Sequence, residues 1–152
     1  MYVPAILLSD AMFVRDDAVP ALDLATLGFR LLVAWLRGQS EARPDLLEDL
    51  KESSQCLWLK LETPVDLHLS EEAVREVVVN HWALSVAFLA SQLPRRRGDL
   101  VNDVLSDRVF FWRFCQSLCG DALHKDACSF VVHHVQGFKD TFMCPNSATP
   151  PC

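Results

Sequence analysis

The stretch Asn80-His81-Trp82-Ala83-Leu84-Ser85-Val86-Ala87-Phe88-Leu89-Ala90 decides the reading of this chain. From Trp82 to Leu93 the polar residues are Ser85, Ser91 and Gln92, and Pro94 closes the run. A helix that is apolar nearly all round has to be surrounded by other helices. Residues 82–93 are therefore expected to form a buried central rod, separated from the preceding helix by a break at Asn80 and His81. Small residues at its start let a second helix approach closely. A trench for a partner helix can be built in this way, which points to a binding module and not to an enzyme.

Working outward, Val74, Val77 and Val78 share a face of a helix capped by Ser70, with Glu71 and Glu72 in the first turn where the helix dipole favours them. Leu57, Leu59 and Leu61 alternate with Trp58 and Lys60, a period of two that allows a short extended piece. Pro44 opens a helix through Leu46, Leu47 and Leu50, after a linker over 40–44. Pro20 begins a helix over 20–37 with Leu24, Leu27, Leu31, Leu32 and Trp35 on it, and Gly38 is its expected stop. Residues 5–14 make a short first helix.

Beyond the rod, Asp99 starts a helix carrying Leu100, Val104, Phe111, Phe114 and Leu118, ended by Gly120. The last helix spaces Leu123, Ala127, Phe130, Val131, Val135 and Phe138 mostly by threes and fours. From Lys139 the composition turns polar and proline-bearing, so 139–152 is expected to be a loosely ordered tail. The sum is an all-α fold: one domain over 1–138, a globular bundle of about seven helices around a central apolar helix.

The bulk composition agrees. A chain of 152 residues with 51% hydrophobic residues is long enough for one core and too apolar for disorder. A formal net charge of -6 and a pI near 5.2 argue against nucleic acid, which needs a basic stripe. The cluster Arg95, Arg96, Arg97 reads as a solvated loop. No basic region opens residues 1–14, and Asp10 cuts the apolar run, so no signal peptide is expected. Asp23 and Arg30 interrupt the apolar stretch 18–36, and a charge near the centre of a span costs about 2.5–3.5 kcal/mol. Without a secretory signal the six cysteines are expected to be reduced thiols acting as small hydrophobes, with Cys144 and Cys152 pairing only after export.

Chemistry is sparse. Cys115, Cys119, His124 and Cys128 lie four, five and four residues apart, with His133 and His134 beyond. Zinc uses such ligands, and a helical zinc-binding protein is one alternative. Neither C-x-x-C nor H-x-x-x-H occurs, so buried thiols and surface imidazoles are the expected roles; no cofactor or metal is expected. No Gly-rich turn frames a nucleophile, and phosphate-binding loops are absent from the sequence. The pairs Asp16/Asp17 and Glu71/Glu72 are explained by helix starts. Trp35, Trp58, Trp82 and Trp112 fall in four separate segments, which suits core positions better than a nucleotide platform.

Leu67-His68-Leu69-Ser70, then Val77-Val78, then Asn80 to Leu89 resemble the Bcl-2 family of apoptosis regulators, in the manner of a divergent viral member. The family signature Asn-Trp-Gly-Arg-x-Val-Ala-Phe-Phe looks like Asn80, an inserted His81, and Trp82 to Leu89. The resemblance covers about 25 residues closely and the rest in architecture alone. It implies a cytoplasmic anti-apoptotic protein that sequesters pro-apoptotic BH3 helices in a hydrophobic groove, recruited to mitochondria through its partners and without a membrane span of its own. An amphipathic partner helix would insert residues spaced i, i+3 or i+4, and i+7. The implied groove is walled by Phe29, Leu32 and Leu36, by Val74 and Val78, and by Ala83, Val86 and Ala87, with His81 and Leu84 at the helix junction. Each of these also has an ordinary reading as core.

Two departures support a different task for the same fold. Leu84 stands where the family has the arginine that pairs with an aspartate of the bound helix, a contact worth about 1.5–3 kcal/mol. Leu24-Ala25-Thr26-Leu27-Gly28 resembles the family's own death motif, but Phe29 replaces its aspartate. The alternative is a viral protein without a working groove that blocks innate immune adaptors through a surface or a homodimer contact.

Overall fold

A computed structural model describes residues 20–53, 57, 71–93, 100–119, 128 and 131–142. The elements are α1 (Pro20–Asp23), a π-helical turn (Leu24–Gly28), α2 (Phe29–Ala42), α3 (Pro44–Ser53), α4 (Glu71–Gln92), α5 (Leu100–Ser117), α6 (Val132–His134) and α7 (Phe138–Phe142). No strand occurs among the described residues, and the fold is all-α as expected. No helix among them is long and apolar enough to cross a membrane. The expected helix over 5–14, the possible extended piece around Trp58 to Leu61, the Ser70 cap, Arg95 to Arg97, the Gly120 stop, His124, Cys144 and Cys152 lie outside the described residues.

α1, the π turn and α2 follow one another without a break in right-handed helical conformation. The Thr26 hydroxyl donates to the Leu22 carbonyl at 3.0 Å, and the Phe29 amide reaches back to the Leu24 carbonyl, five residues earlier. A hydroxyl competing for a helical carbonyl widens the local turn in this way. Gly38 does not stop the helix. Its Cα faces open space, and α2 runs on to Ala42. The stop comes at Arg43 (φ -138°, ψ 88°), because the residue before a proline is pushed out of the helical region. The expected linker over 40–44 thus shrinks to Arg43.

α4 corrects the expected break at Asn80 and His81. The helix is continuous from Glu71 to Gln92. Residues 71–93 contain neither Pro nor Gly, and Asn or His costs a helix less than about 1 kcal/mol. That is too little to break a helix packed along its whole length. Nor is the rod enclosed. Val78, Val79, Ala83, Leu84, Ala87 and Phe88 are buried, but Val86 is 41% exposed, Leu89 61% and Leu93 79%.

The core is joined by phenylalanines. Phe88 of α4 packs at a tilt against Phe111 of α5 at 4.7 Å between centroids and against Phe110 at 5.3 Å. Phe111 also meets Phe138 of α7 edge-on at 5.1 Å, and Phe29 of α2 meets Phe114 at 4.8 Å. Rings from α4, α5 and α7 therefore share one aromatic cluster, and a further pair joins α2 to α5; each such pair adds about 0.5–1.5 kcal/mol beyond its burial.

The last expected helix is interrupted. Val135 is extended (ψ 128°) and Gly137 is left-handed (φ 91°), so α6 ends at His134 and α7 restarts at Phe138. α7 corrects the tail assignment: Lys139 to Phe142 are helical, Thr141 is buried, and its carbonyl accepts from Arg108 Nε at 3.1 Å. The reduced-thiol expectation is corrected too. Cys115 and Cys128 form a disulfide with their Cα atoms 5.1 Å apart, inside the span such a bond needs. The pairing depends on Cys128 being brought to the end of α5, thirteen residues along the chain from Cys115.

Phe111 and Trp112 are neighbours with opposite surroundings. Phe111→Ala should lower the unfolding free energy by about 3–5 kcal/mol in urea titrations, whereas Trp112→Ala, on the exposed face, should change it by about 0.5 kcal/mol or less.

Candidate partner-binding surface

Seven of the ten residues expected to wall a groove lie in the core. Phe29, Leu36, Val74, Val78, Ala83, Leu84 and Ala87 are buried in the core. Leu32 is half-buried against it, His81 is half-buried, and Val86 is exposed. The reason is the close packing of α2 on α4. Ala83 and Ala87 are fully buried small side chains on α4, and an ion pair from Arg37 to Glu76 joins α2 to α4.

An opening exists on another face of α4. A hollow of about 560 Å³ lies between α4 and the turn joining α6 to α7. α4 contributes His81, Trp82, Ser85, Phe88, Leu89 and Gln92. The opposite wall is His134, Val135, Gln136 and Gly137, with Asp140 of α7 at the edge. Of the expected site residues only His81 belongs to it. The volume falls within the range of about 300–1,000 Å³ found for ligand clefts, and six of the eleven lining residues are polar.

Three contacts hold the hollow in shape. Trp82 Nε1 donates to the Leu50 carbonyl at 3.3 Å, tying α4 to α3. His81 Nε2 lies 3.3 Å from the His134 carbonyl, tying α4 to α6. Gly137 presses its backbone on the Phe88 ring, so that a Cβ there would sit 2.9 Å from Phe88 Cε1. Glycine is needed at this point twice over, for the left-handed φ and for the approach.

His81 has a defined protonation preference. With Nε2 donating to the His134 carbonyl, Nδ1 is the bare nitrogen, buried without a hydrogen-bond partner. Burial pushes the His81 pKa below its usual value, against the opposing pull of the His134 carbonyl. Protonation would place an unpaired N–H and a charge in a dry spot.

Beside the hollow, Trp82, Val86, Leu89 and Leu93 form a stripe spaced by four, three and four residues, the seam pattern of helix pairs. The pattern is legible in the sequence, but it is masked there by the equally apolar residues between, which suggest a helix buried on every side. Nothing in the sequence singles out the Gln136-Gly137 turn as the facing wall.

No group of three or more His, Cys, Asp or Glu is placed to hold a metal among the described residues. The disulfide removes Cys115 and Cys128 from the four ligands of the zinc alternative, leaving Cys119 as an exposed thiol. No protein-family model, curated protein or solved structure matches the chain.

Gly137→Ala should cost about 1–3 kcal/mol of stability from the left-handed backbone, and the displaced Phe88 ring should appear as altered aromatic shifts by NMR. His81 favours the fold when neutral. Its contribution is complete above its ordinary pKa of 6.5 and is lost as pH falls from there through the depressed folded value. The stability difference between the parent and His81→Gln, measured by urea unfolding from pH 8 to 5, should therefore shift against the parent below about pH 6.5; a constant difference would contradict this account.

Proposed function

We propose that this protein is a Bcl-2-like interaction module that captures an amphipathic helix of the pro-apoptotic type and so restrains cell death. The observation that carries the reading is the hollow beside His81 to Gln92, continued by the exposed stripe Val86, Leu89 and Leu93 on the helix that bears the family resemblance. A partner helix laid along the stripe would place one large side chain in the hollow against Phe88 and Trp82, and neighbouring turns on Leu89 and Leu93. Ser85, Gln92 and Asp140 supply a polar rim that limits the exposed apolar patch of the free protein. Under this reading the protein acts in the cytoplasm and reaches mitochondria through the partners it holds.

A second reading is favoured by the burial of seven of the expected groove residues, Leu84 among them. A Bcl-2-like protein whose α2–α4 trench is filled by its own side chains would meet innate immune adaptors, or a second copy of itself, through a surface contact.

Fluorescence titration separates the two. Labelled pro-death helices should bind with micromolar or tighter affinity. Leu89→Glu, at an exposed position, should weaken binding roughly tenfold or more without unfolding the protein. Absence of binding by the parent, with adaptor binding or dimerisation abolished by the same substitution, would transfer the assignment to the second reading.

A further inference from the structure

On the α2 side of α4, remote from the hollow, lies a separate notch of about 150 Å³. Its polar wall is Arg30, Arg37 and Asn80, and its floor is Phe29, Val33 and Leu118, with Ala34 at the exposed mouth. Arg30 and Arg37 are seven residues apart on α2, two turns of one face. The notch is far larger than one water requires and smaller than the usual lower bound of about 300 Å³ for larger ligands. A molecule or side chain of a few heavy atoms suits it.

The polar wall is unsatisfied. Nε of Arg30, Nε of Arg37 and Oδ1 of Asn80 are buried with no hydrogen-bond partner, and Asn80 as a whole is only 5% exposed. Buried polar groups in native proteins are nearly all paired, so three unpaired ones at a single notch call for an explanation. Two are guanidinium donors. The third, the Asn80 amide oxygen, is itself an acceptor. The two guanidinium donors want an acceptor.

Charge narrows the class. Arg37 is paired with Glu76, whereas Arg30 spends Nη2 on the Ser117 carbonyl at 3.0 Å and has no carboxylate partner among the described residues. The local sum of Arg30, Arg37 and Glu76 is one positive charge, on a chain whose net charge is -6. A monoanion neutralises it. The guanidinium fork matches a carboxylate in shape, and the apolar floor accepts an aliphatic stem.

We propose that this notch is a carboxylate-binding site. The acid group lies on Arg30, shares Arg37 with Glu76, and rests its stem on Phe29, Val33 and Leu118. The carboxylate comes either from a free short-chain acid or from an acidic side chain of a protein partner.

NMR titration of the folded protein with butyrate, butyramide and inorganic phosphate tests this. Butyrate should shift the Val33, Ala34 and Asn80 amides saturably with a dissociation constant of roughly millimolar order, and butyramide and phosphate should bind roughly tenfold more weakly or not at all. Arg30→Gln should weaken butyrate by a similar factor. Ala34→Leu, an exposed helical position at the mouth, should block the notch without touching a polar group, and it decides the matter if Arg30→Gln does not fold. A capped peptide with one Glu, compared with its Gln twin, separates the sources: displacement of butyrate by the Glu peptide alone assigns an acidic side chain, and no displacement assigns a free acid. The proposal is overturned if butyrate gives no saturable shift, if butyramide or phosphate binds equally well, or if folded Ala34→Leu binds butyrate unchanged.

Discussion

The ring of Phe88 is the contact on which the described fold turns. On one side it packs against Phe110 and Phe111 of α5, and on the other it takes the backbone of Gly137 within van der Waals reach. Interiors are close-packed, and a ring cannot move without moving its neighbours. Its position therefore sets the separation of α4 from α5 and the place where α6 gives way to α7. The hollow is what remains beside it. There the α6–α7 turn rests on Phe88, and His81 of α4 meets the His134 carbonyl.

The other faces of α4 follow a different rule. Small residues invite close approach, and whether the visitor is a partner's helix or the protein's own is not decided by their size. At Ala83 and Ala87 the visitor is the protein's own core. This explains Leu84 as well. The site is fully buried, and an unpaired arginine there would carry a charge into an apolar interior at a cost that a leucine avoids. A leucine at position 84 thus follows from local packing, while Val86, Leu89 and Leu93 stay exposed.

The polar groups at the edge of the core mark where packing stops short of satisfying chemistry. Thr26, Ser91 and Ser117 each return a hydroxyl to a carbonyl of their own helix and need nothing further. Asn80, Arg30 and Arg37 do not close their accounts in this way. Asn80 and His81 are adjacent in sequence, yet they face different hollows, one toward α2 and one toward α6. An Asn-His pair inside a long apolar run looks like a helix break in one dimension. In three dimensions the two side chains point to different neighbours, His81 meeting the His134 carbonyl and Asn80 lining the notch beside α2, without interrupting the helix.

How much was legible follows from the range of each signal. Helical periodicity, Pro44 as a helix start and the apolar run of α4 are local, and the all-α class was determined by the sequence alone because each rests on residues within a few turns. Helix ends were less secure: Gly38 marked a stop that Arg43 before Pro44 supplied instead, since a glycine permits an ending and a following proline enforces one. Which face of α4 stays open, that Cys115 meets Cys128, and that Gly137 faces Phe88 were decided only by the tertiary structure. These depend on segments distant in the chain arriving at the same point, and no residue carries that information by itself.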